Sequence, residues 1–306
     1  MSLSVGIEIP GDAIGESSPG PGIAGLARRL ESAGVHYWVV GAGRGEPAAG
    51  GKTSLDPSLV ATVAARHSTD LGLVVAASAH RDHPYNLARR LLSVDHASRG
   101  RLGWFALDAD RRIELNASVD TWTGSVLGPT HTAEAIAAVR TLWRTWPYAS
   151  VVGDRVTGLF ADAAQIRHAD VRGTYRITGP LNVPGSLQGD LPVWQQAGPA
   201  TGEADLIVVE DGDPVPPGAV VRLRAVDRAA LDRVSATATA SGVLLRVTPD
   251  ALAAVLDGVL VSARHRGVVS VPASGVLRQR LRLPASAGPD LSTHRRAFDA
   301  PYPGAR

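Results

Sequence analysis

The stretch Gly173–Gly198, GTYRITGPLNVPGSLQGDLPVWQQAG, decides how this chain is read. A short β-like run, Thr174–Thr178, leads into Gly-Pro-Leu-Asn-Val-Pro. A polar, glycine-bearing turn follows, and then an apolar strand over Leu191–Ala197 that stops at Gly198. Pro180 and Pro184 fix φ and each removes a backbone donor, so this segment is expected to cross a surface outside any sheet. Alone, it reads as an ordered loop between two strands.

A second stretch changes that reading. Residues 82–104 run DHPYNLARRLLSVDHASRGRLGW. Together the two segments resemble the luciferase-like flavin monooxygenases, in particular the branch holding the nitrilotriacetate and dibenzothiophene-sulfone monooxygenases. In that branch an HPYNLARR-type helix start runs into an LDHLSGGRxGW segment. A GPLNVPxxxQGxP segment there precedes a strand ending in QAG. Weaker matches cover Thr132–Trp146 (TAEAIAAVRTLWRTW) and Gly275–Leu283 (GVLRQRLRL).

Outward from these motifs, strand-like and helix-like segments alternate. Strands are expected at Leu3–Ile9, His36–Val40, Leu71–Ala77, Leu102–Leu107, Pro192–Ala197, Asp205–Val209, Val220–Ala225, Gly242–Val247 and Val268–Val271, one of them accessory. Helices are expected at Ile23–Ala33, with Gly34 as its stop, at Pro84–Ser98, stopped by Gly100, and at His131–Trp146, Arg228–Ala240 and Asp250–Arg264. Another starts at Asp56-Pro57, where Asp can cap the free N–H groups and Pro suits the first helical position. Repeated alternation implies right-handed parallel crossovers in an α/β fold. It permits a (β/α)8 TIM barrel or an open doubly wound sheet, and the resemblance favours a compact barrel with an insertion at about 147–190. One domain is expected over 1–284, with 285–306 as a surface tail or strap.

Composition narrows the function classes. The chain of 306 residues has no cysteine, which removes disulfides, thiol catalysis and Cys-ligated metals. The formal charge is only +2, and the basic residues other than Lys52 are scattered arginines, read as solvated faces and ion pairs. With 5% aromatics, a basic stacking surface for nucleic acid is not expected. No apolar run reaches a membrane-spanning length and the start shows no signal-peptide pattern, so the cytoplasm is the expected compartment.

In such a barrel the site lies at the C-terminal ends of the strands. The candidates there are Ser78 and His80 after one strand, Asp108 after another, Gln196–Gly202 after a third, and Glu210 and Asp211 after a fourth. The resemblance implies reduced FMN, delivered by a separate reductase, that reacts with O2 to a flavin C4a-peroxide and oxidises a small organic substrate. It also implies a homodimer. On that reading Ser78, Asp108, Gln196, Gly198, Ala200, Thr201 and Gly202 would contact the cofactor. His80 is the catalytic candidate, against the plainer reading of an ordinary loop histidine.

The chain also departs from the family pattern. Phe105 stands where the family has Asn near the flavin. The polar pair and helix after QAG, which hold the FMN phosphate, are replaced by Pro199-Ala200-Thr201-Gly202-Glu203. Pro129-Thr130-His131 replaces a Tyr-bearing helix start. A homologue that binds no flavin and serves as a binding or partner subunit is therefore the alternative.

Other features have simpler readings. His80 and His83, three apart, invite a metal, but His83 fits the helix start, and no metal site is expected. Asp95-His96 is expected to make hydrogen bonds within its helix. Asp205, Glu210, Asp211 and Asp213 read as solvated turn residues rather than a Mg2+ site. The glycine-rich Gly41–Gly51 lacks P-loop spacing and reads as a loop over the barrel mouth. Trp143 and Trp146 read as core.

Overall fold

The computed structural model describes residues 2–10, 22–46, 55–111, 118–285 and 288–298. Eight parallel strands close into a barrel in sequence order: β1 (Ser4–Glu8), β2 (Tyr37–Val40), β3 (Gly72–Ala77), β4 (Leu102–Ala106), β5 (Val193–Gln196), β6 (Leu206–Glu210), β7 (Val220–Leu223) and β8 (Gly242–Arg246). β8 pairs back onto β1, with Glu8 opposite Arg246. The expected barrel is therefore the observed fold. The ninth strand candidate, Val268–Val271, reduces to a single bridge between Val269 and Leu3.

Helices α1 (Gly22–Ser32), α2 (Pro57–Arg66), α3 (Pro84–Ser98) and α4 (Pro129–Trp143) follow the first four strands. Asp56 caps α2 by accepting from the Ser58 N–H at 2.8 Å. Helix α4 stops at Trp143 because the chain turns toward Pro147, so Trp146 lies outside it and its ring meets Phe160. After β7 comes α5 (Arg228–Ala236), which ends before the expected Ala240. After β8 come α6 (Leu252–Ala254), a π segment (Val255–Val259) and α7 (Leu260–His265), and then α8 (Leu277–Arg280). Residues 197–205 and 211–219 join their parallel strands with no helix. These links are shorter than an ordinary crossover, and they account for the compact size of the barrel.

The barrel interior is filled, as in other barrels of this kind. Tyr37, Val74, Phe105, Trp194, Val208, Val220 and Leu244 form one buried cluster, closed at the strands' N-terminal end by Leu277 of α8. Tyr37 and Trp194 lie 5.1 Å apart. They fit because glycine faces each of them: a Cβ on Gly6 would come within 2.2 Å of the Tyr37 ring, and one on Gly103 within 2.4 Å of Trp194. A second, larger cluster joins the outer strand faces to the helices.

The two signature segments bind each other. Asp95 does not bond within its helix alone. Its carboxylate accepts from Ser186 Oγ (2.6 Å), Gln188 Nε2 (2.8 Å) and the Leu102 N–H (3.2 Å). His96 Nε2 meets the Pro184 carbonyl at 2.9 Å, and the Tyr85 hydroxyl donates to the Pro180 carbonyl at 3.2 Å. Arginines do more than coat the surface. Arg101 donates to the carbonyls of Ala65, Ser68, Leu71 and Ser98. Arg278 reaches Asp190, Leu191, Pro284 and Asp205. Asp205 is thus an ion-pair partner of Arg140 (2.6 Å) and Arg278 (2.9 Å), not a solvated turn residue. Residues 288–298 run beside the insertion, with Ala297 N–H donating to Ile166 and His168 N–H to Arg295. Among the described residues no helix is long and apolar enough to cross a membrane.

Candidate functional site

The strands' C-terminal ends carry three groupings. The first closes the barrel mouth. Glu8, at the end of β1, points inward and is fully buried. Arg222 Nε of β7 lies 3.1 Å from its Oε1, and Arg246 Nη1 of β8 3.2 Å from the same oxygen. Arg222 Nη1 also donates to Glu210 Oε1 and Gln196 Oε1, both at 2.8 Å. Its guanidinium carbon sits 5.5 Å from the Phe105 ring centroid. Arg246 reaches Glu46 at 2.5 Å, and Arg224 donates to Glu210 at 3.1 Å. Three glutamates and three arginines make a neutral, interlocked set. Burial pushes the Glu8 carboxyl above its ordinary range, and the charges of Arg222 and Arg246 only partly oppose that. Glu210 feels burial too, but its bonds to Arg222 and Arg224 outweigh it and hold its carboxyl low.

The second grouping lies beyond β3 and β4. Ser78 Oγ and His80 Nδ1 are 2.7 Å apart, and both residues are buried. His80 is thus enclosed rather than solvated. Burial holds its imidazole below its usual pKa against the opposing charges of Asp110 and Asp120. Arg44 Nε donates to Asp110 at 2.8 Å. Thr132 Oγ1 donates to Asp108 at 2.6 Å. The Tyr175 hydroxyl donates to Asp120 Oδ2 at 3.0 Å. His131 Nε2 lies 2.8 Å from that oxygen and 2.7 Å from the Tyr175 hydroxyl. Burial pushes the Asp120 carboxyl up, but the Trp122 N–H, His131 and Tyr175 outweigh it and hold it below its usual range. Burial, followed by the Asp120 charge, raises the Tyr175 hydroxyl well above its usual value. His83 stacks edge-on against Tyr175 and Trp122. It also accepts from the Tyr85 N–H as the cap of α3. Among the described residues no His, Asp and Glu grouping could hold a metal ion.

The third grouping is the turn after β5. Gly198, Pro199 and Gly202 are exposed, and Ala200 and Thr201 half-buried. The Thr201 hydroxyl turns back to the Gly198 carbonyl at 3.4 Å. An anion cradle of backbone N–H groups needs either a helix N-terminus or alternating right- and left-handed residues. No helix starts here, no residue of the turn has a positive φ, and Pro199 has no N–H. The first turn of α4, against which Gly198 packs, carries Pro129-Thr130-His131, and His131 is engaged with Asp120.

These residues do not fit FMN in the family's manner. The phosphate would meet an exposed turn without a cradle. The flavin ring would meet a mouth in which Arg222 lies over Phe105, the residue standing where the family has Asn. Of the seven cofactor candidates, Ser78 joins His80, Asp108 joins Thr132, Gln196 joins Arg222, and Gly198, Ala200, Thr201 and Gly202 stand together on the exposed turn. The loop reading of Gly41–Gly51 holds a one-turn helix at Ala42–Gly45, and 47–51 lie outside the described residues.

Sequence reasoning missed Glu8, Arg222 and Arg246. The signal for them was a charge at an inward-facing position of an otherwise apolar strand. It also missed Asp110, Asp120 and Tyr175. Asp110 and Asp120 lie in the connection from β4 to α4 and Tyr175 in the insertion, and no local pattern marks them.

Comparison with known proteins agrees with this architecture. Dibenzothiophene-sulfone monooxygenase of Rhodococcus erythropolis is 33% identical over 160 residues, which cover 48% of this chain and 33% of that protein. One of the subunits of pristinamycin IIA synthase from Streptomyces pristinaespiralis is 30% identical over 166 residues, covering 54% of each. The chain thus spans a third to about half the length of these relatives. Among solved structures, a riboflavin lyase with modified FMN and riboflavin superposes with a TM-score of 0.70 at 16% identity, covering 92% of this chain and 96% of that one, a likeness of fold. The profile of the luciferase-like monooxygenases matches residues 5–259, and the chain belongs to that family.

Proposed function

We propose that this chain is a luciferase-like barrel whose flavin site has been rebuilt, and that it works as a binding or partner subunit without FMN of its own. The observation that carries this reading is the ion-paired mouth. Arg222 is clasped by Glu8, Glu210 and Gln196 and lies over Phe105, which stands where the family has the Asn near the flavin. The uncradled turn 197–202 supports it from the phosphate side. A relative matched over half its length is named as a synthase subunit, which is consistent with a partner role.

A second reading is favoured by the buried Asp120–His131–Tyr175 and Ser78–His80 groups. Ionisable side chains are costly to bury and cluster at functional sites. On that reading the chain is a flavin-dependent monooxygenase using O2 and a small organic substrate, with reduced FMN supplied by a separate reductase and held by contacts other than the family's.

Titration of the purified chain with oxidised FMN, and anaerobically with dithionite-reduced FMN, separates the two. Followed by flavin fluorescence or heat, the first reading expects no saturation in either redox state up to about 100 μM, a binding energy of only about 5 kcal/mol. Saturable binding of reduced FMN at micromolar concentration would overturn it in favour of the second.

A further inference from the structure

We propose a small-molecule site on the face opposite the barrel mouth, one that takes a small planar carboxylate. A cavity of about 740 Å³ lies between the end of α4, the insertion and the segment 288–292. That volume is within the range of ordinary ligand pockets. Helix α4 begins at the mouth and ends at Trp143 beside the cavity, and Gly185, Ser186, Leu187 and Gly189 of the wall precede β5. The cavity therefore opens at the strands' N-terminal end, away from every candidate site residue above.

Its walls state the chemistry. Tyr148 gives flat apolar surface, and its ring is held by stacking on His96 at 6.0 Å and 27°. Three charged side chains line the space. Arg144 is engaged by the buried Asp190 at 3.1 Å. Ser292 donates to both carboxylate oxygens of Asp290, through its N–H at 2.8 Å and its hydroxyl at 2.9 Å, which orients that carboxylate and leaves its charge in place. Among the described residues, Arg167 is the cation of the three without an acid on it. It donates only to backbone carbonyls, those of Ala164, Ile166 and Ser292. Carbonyls orient a guanidinium but do not neutralise its unit charge. A planar carboxylate beside the Tyr148 ring is the partner that such a half-buried, pre-oriented guanidinium prefers. The carbonyls at the end of α4 disfavour an anion, so the carboxylate is expected on the Arg167 side of the cavity.

Calorimetric titration of the full chain with benzoate, and with uncharged benzamide, tests the site. Saturable benzoate binding is expected, with benzamide about tenfold weaker or more, the range of one charge-assisted hydrogen bond. Arg167→Gln should bring benzoate down to the benzamide level. Ala149→Trp, on the cavity wall but outside every bond named above, should block both probes while leaving the unfolding midpoint in place. It keeps the test decisive if Arg167→Gln folds poorly. No benzoate binding up to about 10 mM, equal binding of benzoate and benzamide, or unchanged benzoate binding in a folded Ala149→Trp protein would each overturn the proposal. None of these outcomes depends on whether FMN binds at the mouth.

Discussion

Replacing Arg222 with Met tests the closed mouth directly. The substitution keeps a long apolar stem over Phe105 but deletes the charge. Glu8 then retains Arg246, at 3.2 Å from Oε1, while its Oε2 already has no hydrogen-bond partner. Glu210 keeps Arg224 and remains partly exposed, so its loss is small. The cost is therefore mainly that of a buried carboxylate left with one cation instead of two. Breaking a buried pair from one side costs about 3–5 kcal/mol, and the remaining Arg246 sets the estimate at the lower end, about 3 kcal/mol. The cost has a ceiling, because Glu8 can take a proton instead of staying charged. Its folded pKa is already raised by burial. A raised carboxyl binds more protons folded than unfolded, so its stability contribution grows as pH falls toward the unfolded value near 4.5. Losing Arg222 raises it further, and the variant's deficit should shrink between pH 7 and about pH 5. Urea unfolding followed by tryptophan fluorescence reads this, since Trp38, Trp104, Trp143 and Trp194 are all buried. Glu8→Gln combined with Arg222→Met should recover at least half the loss. A deficit below about 1 kcal/mol, or one that does not change with pH, would refute the interlocked mouth.

Three further outcomes follow from the same structure. His36 Nδ1 accepts the Val5 N–H at 3.1 Å, and burial, with Arg280 and Arg264 nearby, lowers its pKa from 6.5 to about 4. The unfolded chain therefore binds the proton first, and stability complete above pH 6.5 falls as pH drops toward 4. Between pH 7 and about pH 4.5 the native chain should lose about 2 kcal/mol more than His36→Asn, which keeps an acceptor but does not titrate, and parallel losses in urea unfolding would remove His36 from the account. Tyr175→Phe leaves Asp120 and His131 buried without the hydroxyl and should cost about 1–2 kcal/mol, a fall in melting temperature of a few degrees, so an unchanged midpoint would show the hydroxyl contributes nothing. Gly6→Ala drives a methyl into the Tyr37 ring and should cost about 1–3 kcal/mol by the same assay, and a neutral result would mean that Tyr37 can move aside.

The elements most legible in the sequence were those defined locally. Helix α3 runs over Pro84–Ser98 as read, because His83-Pro84 starts it and Gly100, at φ 78°, lets the chain leave it. The buried strands announce themselves as apolar runs, and the missing helix after Gly198 could be read from the short run of chain left before β6 begins. The site was less legible, because its contacts join distant positions. Glu8 meets Arg222 and Arg246 only when the barrel closes β8 onto β1. Asp120, His131 and Tyr175 come from a loop, a helix start and the insertion, and their meeting depends on how the insertion folds back. His80 read as an ordinary loop residue because nothing in the sequence reveals that Ser78 and the Asp110 and Asp120 charges surround it.

The motifs that identify the family are, in this chain, chiefly contacts with each other. Asp95 of the first segment takes the Ser186 and Gln188 donors of the second, and Gln188 in turn donates to the Leu102 carbonyl and accepts the Arg278 N–H. These bonds lock α3, β4, the approach to β5 and α8 together at the strands' N-terminal end. None of them reaches the mouth. A buried carboxylate with three donors tolerates little change, since losing one donor leaves a charge unsatisfied at a cost of about 1–3 kcal/mol or more. On the function proposed above the mouth has no such restriction, since no cofactor has to be held there, and Asn can give way to a Phe that carries an arginine. On that proposal the chain keeps its family signature almost intact while the flavin cradle is lost. Its motifs are warrant for the barrel, and its activity has to be argued from the mouth, where Arg222 stands.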